Sequence, residues 1–187
     1  MLHHTAMRVL PRHEPVSVSI INALSSASPA CWQLTYEIRN HSAGVLWLVD
    51  DASLSFAQVD DNIALSLARE PMQPGVQVMG YFEPQTVRLD TGASLHRSLQ
   101  IDWPCPLSDI WNPTREASPA AGSYSVTVRI GYACTAAPPA RLSGENVEAV
   151  VLTWQRQVSS RPVRLSIAPY APLPYAQPER SLRQWPQ

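Results

Sequence analysis

Residues 32–39 read Trp-Gln-Leu-Thr-Tyr-Glu-Ile-Arg, and their pattern is the clearest indication of the fold class. Apolar side chains occupy every second position: Trp32, Leu34, Tyr36 and Ile38. Alternation with a period of two is typical of a strand that buries one face and exposes the other. The stretch therefore predicts a half-buried strand of an antiparallel sheet.

Similar patterns recur along the chain, whereas helical periodicity is nearly absent. They predict further strands at 16–21, 45–49, 54–59, 63–68, 86–89, 95–103, 124–132, 147–158 and 163–167. One charged residue, Arg97, falls on the otherwise apolar face of its strand. About nine or ten short strands separated by turn residues predict an all-β fold in which two antiparallel sheets pack as a sandwich.

Proline is abundant, with 18 residues against 7 glycines, and it avoids the predicted strands. It gathers in two predicted loops, 70–85 and 104–121, and in the final segment. Proline lacks the N–H that a strand ladder needs, so it marks strand ends and loops. We therefore expect a flexible arm at 1–14, one sandwich domain at 15–168 and a Pro-rich tail at 169–187. Within the tail, residues 169–175 are expected to lie as a strap across the sandwich.

Charge and hydropathy exclude two classes of partner. The 14 basic residues, all arginine, are balanced by 15 acidic ones, whereas a nucleic-acid surface needs a basic excess. No apolar run reaches the ~18 residues of a membrane span. The first residues also lack the apolar core of a signal peptide, so we expect a cytoplasmic protein unless a leader has been removed.

Motifs for catalysis or cofactor binding are not found in the sequence. Three of the five histidines lie in the arm, His41 falls in a predicted turn and His96 on the outer face of a predicted strand, and no phosphate-binding or zinc-protease pattern occurs. The acidic turns Asp50-Asp51 and Asp60-Asp61-Asn62 could supply oxygen ligands to calcium. They lack EF-hand spacing, and aspartate is common in turns because it caps its own backbone. We therefore expect no enzyme activity, no cofactor and no metal.

Two segments favour a binding role. The 70–85 loop carries Met72, Met79, Tyr81 and Phe82, and the 104–121 loop carries Trp111. Apolar and aromatic side chains on loops are typical of binding surfaces. Trp111 and Trp185 could also stack on sugar rings, although the other tryptophans fall on predicted strands, where burial explains them.

A family resemblance begins at Gly122-Ser123-Tyr124-Ser125-Val126-Thr127-Val128. This run resembles the sixth strand of immunoglobulin-like and fibronectin-like sandwiches, where a tyrosine hydroxyl fixes the preceding corner. Trp47 lies in the third strand, where such folds often bury a tryptophan. Leu34 and Val126 fall near the two cysteine positions of antibody domains, and the run at 89–95 resembles the entry to the fifth strand in bacterial members. The layout also resembles intracellular proteinase-inhibitor sandwiches, from which no reactive-site motif carries over.

The strand order implied by this resemblance bears on Cys31, Cys105 and Cys134. It puts Cys31 and Cys105 at one end of the sandwich and Cys134 at the other, which implies a Cys31–Cys105 disulfide. The alternative is three inert thiols, because an odd number leaves at least one unpaired within the chain.

These observations predict a non-enzymatic module that binds another protein, with Met72, Met79, Tyr81, Phe82 and Trp111 as its binding residues. Two alternatives stay open. One is a proteinase inhibitor that presents a loop, and the other is a carbohydrate-binding accessory domain.

Overall fold

The computed structural model describes residues 14–27, 30–50, 54–71, 83–109, 112–139 and 146–169, with side chains placed except at 106–109, 112–116 and 147. This part of the chain is mostly β-structure, which confirms the all-β prediction in its coarse form. Its elements are β1 (Val16–Ala27), β2 (Ala30–Asn40), β3 (Leu46–Val49), β4 (Ser55–Val59), β5 (Asn62–Ser66), β6 (Thr86–Leu89), β7 (Ser94–Asp102), β8 (Cys105–Asp109), β9 (Asn112–Ala117), β10 (Gly122–Ala133), α1 (Val147–Trp154), β11 (Arg156–Ser159) and β12 (Val163–Ile167). The described residues thus contain twelve strands rather than nine or ten. The arm at 1–13 and the tail from 170 onward, with its expected strap, lie outside the described residues.

Two sheets and a hairpin organise the strands. One sheet has the order β1-β2-β7, and the other is centred on β10. Along one edge β10 pairs with β5 and β3, and along the other it pairs with β12 and β11. The β5–β10 pair is parallel, so the expectation of purely antiparallel sheets is wrong there. A parallel pair needs a long connection, and β5 and β10 are far apart in sequence.

Each sheet turns one apolar face toward the other. The Trp32 cluster contains Trp32 and Leu34 from β2 together with Ile63 from β5 and Val126 from β10. The second core region, the Tyr36 cluster, combines Tyr36 and Ile38 with Val128 and Ile130 from β10. Because both clusters draw side chains from both sheets, the sheets pack face to face.

The predicted strand at 147–158 is wrong in its first two thirds. Residues 147–154 form α1, and only Arg156–Ser159 is a strand. The Asn146 side chain accepts a hydrogen bond from the Glu148 N–H at 2.9 Å, which caps the helix, and Val151 is fully buried. Valine-rich composition favours a strand only weakly, so a cap and a buried face outweigh it here.

The predicted 104–121 loop is also wrong, because it contains β8 and β9, paired as a hairpin. Pro106 lies in this ladder opposite Glu116. Each strand of a two-stranded ribbon has one unpaired edge, and a proline whose nitrogen faces that edge breaks no hydrogen bond between the strands. Likewise, β1 is longer than the strand predicted at 16–21, because it continues through Ser25 and Ser26 and ends at Ala27.

The aromatic residues singled out in the sequence have different surroundings. Tyr124 is buried, and its hydroxyl donates a 2.7 Å hydrogen bond to the Ala120 carbonyl. Trp47 is only half-buried on β3, whereas Trp32 is fully buried and donates its indole N–H to the Ser166 carbonyl at 2.8 Å. Trp154 ends α1 rather than lying on a strand.

Candidate functional site

The binding residues predicted from the sequence cannot be placed. Met72, Met79, Tyr81, Phe82 and Trp111 all lie outside the described residues. The site that the described part does contain is a groove on a different surface.

A groove of about 550 Å³ runs beside the first half of β1, and we call it the β1 groove. Binding pockets for small molecules and peptide side chains commonly have volumes of ~300–1,000 Å³, so this groove is large enough to hold a ligand. It is lined by Glu14, Val16, Ser17, Val18, Ser19, Ile20, Val158, Ser159, Arg161, Pro162 and Val163.

One wall of the β1 groove is a sheet edge. Five consecutive residues of β1, at 16–20, line it, and within the described residues β1 pairs with β2 alone. A wall made of consecutive strand residues exposes backbone as well as side chains, because successive side chains point to opposite faces. The groove therefore offers main-chain hydrogen-bonding groups.

The register identifies which backbone groups these are. The Pro15 carbonyl accepts a 2.8 Å hydrogen bond from the His41 N–H, so Pro15 and His41 form a hydrogen-bonded pair. Such pairs alternate along an antiparallel ladder with pairs whose N–H and C=O groups point away from the partner strand. The next residue, Val16, lies opposite Asn40 in a pair of the second kind. The backbone N–H and C=O groups of Val16, Val18 and Ile20 therefore point away from β2, toward the groove.

The opposite wall is formed by β11, β12 and the link between them. Ser160, in that link, is buried and bonded twice to Val128 of β10. Its N–H donates to the Val128 carbonyl at 2.8 Å, and its Oγ accepts from the Val128 N–H at 3.0 Å. These bonds fix the neighbouring Arg161 and Pro162 over the groove.

Opposite charges stand at separate positions along the groove. Glu14 precedes β1 and lies near Tyr132, whose pKa is raised by burial and secondarily by the Glu14 carboxylate. Arg161 lies beyond Ser159, between residues that pair with the middle of β10. Both side chains are exposed, so each is available to a charged ligand.

A second, smaller cleft opens between the sheets where β7 faces β6. Its volume is about 60 Å³, the space of a few water molecules, so it does not accommodate a ligand of ordinary size. At this cleft Arg97 bonds Asp50 at 3.3 Å, and burial is the main reason why the pKa of Tyr36 rises to about 12. The ion pair explains why a charged residue stands on the apolar face of β7.

Groups that could perform catalysis are sparse in the described part of the chain. The Ser17 hydroxyl and His41 Nε2 are hydrogen-bonded at 2.7 Å on an exposed surface. A working nucleophile also needs an oriented base and an oxyanion site, and no carboxylate is seen bonded to His41 among these residues.

One aspartate of each acidic turn forms an ion pair. Asp50 bonds Arg97, and Asp61 bonds Arg164 at 2.9 Å. Within the described residues no group of three histidine, cysteine, aspartate or glutamate side chains is arranged to hold a metal ion. Over the same residues, no helix has the length and apolarity required to cross a bilayer.

All three cysteines are present as thiols, so the expected Cys31–Cys105 disulfide is not formed in this structure. Cys31 lies opposite Asp102 in the β2–β7 ladder, close in sequence to Cys105. Strand alternation, however, places Cys31 on the face opposite to Trp32, whereas Cys105 packs in the Trp32 cluster. Burial and, less strongly, Asp102 raise the pKa of the Cys105 thiol.

Sequence reasoning located the strand that forms the groove but not the groove itself. The alternation of valine and serine at 16–19 predicted the start of β1 correctly, although the strand extends beyond the predicted 16–21. No local signal states which side of a strand stays unpaired, since that depends on which distant strands lie beside it.

Comparison with models of protein families, with curated proteins and with solved structures found no match to this chain.

Proposed function

We propose that this protein is a non-enzymatic binding module that holds an extended segment of another protein in the β1 groove. One observation carries the proposal: a groove of about 550 Å³ runs along a strand whose other edge is already paired. An unpaired edge beside a groove combines main-chain hydrogen-bonding groups with apolar surface, which is the combination that extended peptides recognise.

The composition of the groove fits a protein ligand. Its partly exposed apolar side chains come from both walls, with Ile20 on β1 and Val158 and Val163 opposite. Serine hydroxyls and the charges of Glu14 and Arg161 surround them. Protein interfaces commonly have such an apolar centre with a polar rim.

The scaffold of the module is proposed to be immunoglobulin-like. Three features support this assignment: the β1-β2-β7 sheet facing β3, β10, β11 and β12, the Tyr124 hydroxyl bonded four residues upstream, and the packing of Leu34 with Val126 in one cluster. In sandwiches of this type, function resides in loops and edges while the core provides stability.

The experiment is a selection of extended peptides against the full chain, followed by binding measurements on two tryptophan variants. Ser159→Trp fills the groove from its β11 wall, and Ser98→Trp adds the same bulk to the outer face of β7. We expect Ser159→Trp to weaken binding about tenfold or more, equivalent to ~1.4 kcal/mol. Ser98→Trp should bind like the unmodified protein.

Circular dichroism establishes that both variants are folded before they are compared. Equal binding by folded Ser159→Trp and Ser98→Trp would exclude the β1 groove as the binding site. Selected peptides that bind Ser98→Trp normally but bind Ser159→Trp more weakly would support the β1 groove as the binding site.

A further inference from the structure

We propose that the bound segment adds to the β1-β2-β7 sheet as a fourth strand, antiparallel to β1, with an acidic residue toward its start and a basic residue toward its end. This inference rests on the proposed function, because it specifies the ligand of the same groove.

Backbone pairing follows from the outward groups of Val16, Val18 and Ile20. These residues are two apart, so their N–H and C=O groups repeat every ~6.8 Å along the free edge. Within the described residues no hydrogen bond to these groups is seen on that side. An incoming strand presents groups at the same repeat and satisfies all three residues at once.

The bulge in β1 sets the length of this edge. The β1–β2 register shifts between Ile20 and Asn22, so the alternation of inward and outward groups is interrupted at Ile21. A bulge ends regular pairing on a strand. The segment therefore pairs along Val16–Ile20 and not along the second half of β1.

The direction follows from the strands that form the walls. Val16, at the start of β1, lies in the Tyr36 cluster, and Ala23, later in β1, packs against the Trp32 cluster. In the same way Val158 of β11 packs against the Tyr36 cluster, whereas Ile167 of β12 lies in the Trp32 cluster. Hence β1 and the β11–β12 segment run the same way along the groove. A segment running the opposite way is antiparallel to both walls, and antiparallel pairing is the more stable arrangement.

The charges then fix the ends of the segment. Glu14 stands where β1 begins, and Arg161 stands farther along, toward the level of Val163. A segment antiparallel to β1 starts near Arg161 and ends near Glu14. An acidic residue at its start and a basic residue at its end therefore meet opposite charges.

Amide hydrogen exchange on the full chain tests the backbone pairing. The probe is a synthetic seven-residue peptide with glutamate first, lysine last and alternating valine and threonine between them. In the free protein the amides of Ser17 and Ser19 should exchange slowly, because they belong to the β1–β2 ladder, and those of Val16, Val18 and Ile20 should exchange faster. Saturating probe should slow Val16, Val18 and Ile20 about tenfold or more and leave Ser17 and Ser19 unchanged.

Charge reversal tests the direction. The probe with lysine first and glutamate last should bind more weakly to the unmodified protein. The double variant Glu14→Lys, Arg161→Glu should reverse this preference, with each exposed pair changing affinity by about 1.5- to 5-fold. Both side chains are exposed, so the substitutions leave the core intact.

The outcomes separate the two proposals. Binding that is lost in Ser159→Trp, with no slowing at Val16, Val18 and Ile20, would overturn strand addition and leave the groove as the binding site. Slowing without any preference between the two probes would overturn the direction and charge pattern. Absence of binding by either probe at millimolar concentration would overturn the inference as a whole, while peptides selected on the groove would still support the proposed function.

Discussion

Gln155 forms two hydrogen bonds to the backbone of Arg69, 86 residues earlier in the chain. Its Oε1 accepts from the Arg69 N–H at 3.1 Å, and its Nε2 donates to the Arg69 carbonyl. The amide thus satisfies a buried backbone segment as a neighbouring strand would. This contact joins the end of α1 to the residues that follow β5.

Gly131 of β10 makes this contact possible. A Cβ at this position would lie 2.7 Å from Gln155 Oε1, closer than real Cβ contacts, and 3.0 Å from Val49 Cγ2, which is tighter than most of them. We expect Gly131→Ala to displace the Gln155 amide and lower the free energy of unfolding by about 1–3 kcal/mol. Urea denaturation measures this change.

Gly44→Ala is the matched control for that substitution, because a Cβ at Gly44 meets nothing within 4 Å. It should change stability by no more than ~0.5 kcal/mol. Equal effects of the two substitutions would show that the close approach at Gly131 does not matter for stability.

Asn40 joins two turns at one end of the fold and is fully buried. Its Nδ2 donates to the carbonyls of Gly44, Leu89 and Asp90 at 2.8–3.1 Å, and its Oδ1 accepts from the N–H and hydroxyl of Ser42. Asn40→Ala leaves buried carbonyls unsatisfied, so we expect a loss of about 2–4 kcal/mol.

The control for Asn40 is Asn62→Ala, which removes an exposed 3.2 Å hydrogen bond to Asp61. Its effect on thermal unfolding should be within ~0.5 kcal/mol. An equally small loss of stability in Asn40→Ala would contradict this prediction and would mean that water replaces the lost hydrogen bonds.

Tyr36 should make stability depend on alkaline pH. Burial, opposed by Arg97 and assisted by Asp50, raises its pKa from 10.0 to about 12. The folded state therefore holds the phenolic proton more tightly than the unfolded state. This contribution is fully present below pH 10 and is lost as the pH rises from 10 to about 12, by up to about 2–3 kcal/mol.

Chemical denaturation of the unmodified protein and of Tyr36→Phe between pH 9 and 12 measures this dependence. The variant lacks the ionising group, so its stability should fall less steeply over this range. Tyr132, whose pKa is also raised, is present in both proteins and cancels in the comparison. Parallel pH profiles would refute the assignment to Tyr36.

Thiol titration should distinguish the cysteines. Cys134 is exposed, whereas Cys31 and Cys105 are buried. In the native protein without reductant we expect one thiol to react rapidly with a disulfide reagent, and in denaturant all three. Reaction of a single thiol in denaturant would instead show that two of the cysteines are bridged, and peptide mapping without reductant would identify the pair.

Local alternation predicted much of the fold. The pattern at residues 32–39 gave β2 and its inward face, and all four apolar positions are buried. It failed at 147–154, where valine-rich sequence forms a helix capped by Asn146. Intrinsic strand preference is small compared with the burial of one face, so such a segment adopts the structure that its neighbours favour.

The sequence predicted individual residues and strands near the candidate site but not how they come together. The sequence marked residues 16–20 as a strand and Arg97 as an exception, without the contacts that give them meaning. Arg97 meets Asp50, which is 47 residues away, and β1 meets the β11–β12 segment from the far end of the chain. Neither partner could be read from the local pattern.

Local sequence was enough to predict the class of fold, because alternation of side chains follows from backbone geometry within each strand. It also determined which faces are apolar. The tertiary structure was needed to see that, within the described residues, β1 has an unpaired edge with outward groups at Val16, Val18 and Ile20 and a groove beside it. An edge is the side of a strand that has no pairing partner. Pairing depends on contacts between distant segments rather than on any residue's neighbours in the chain, so a local pattern does not show where the edge lies.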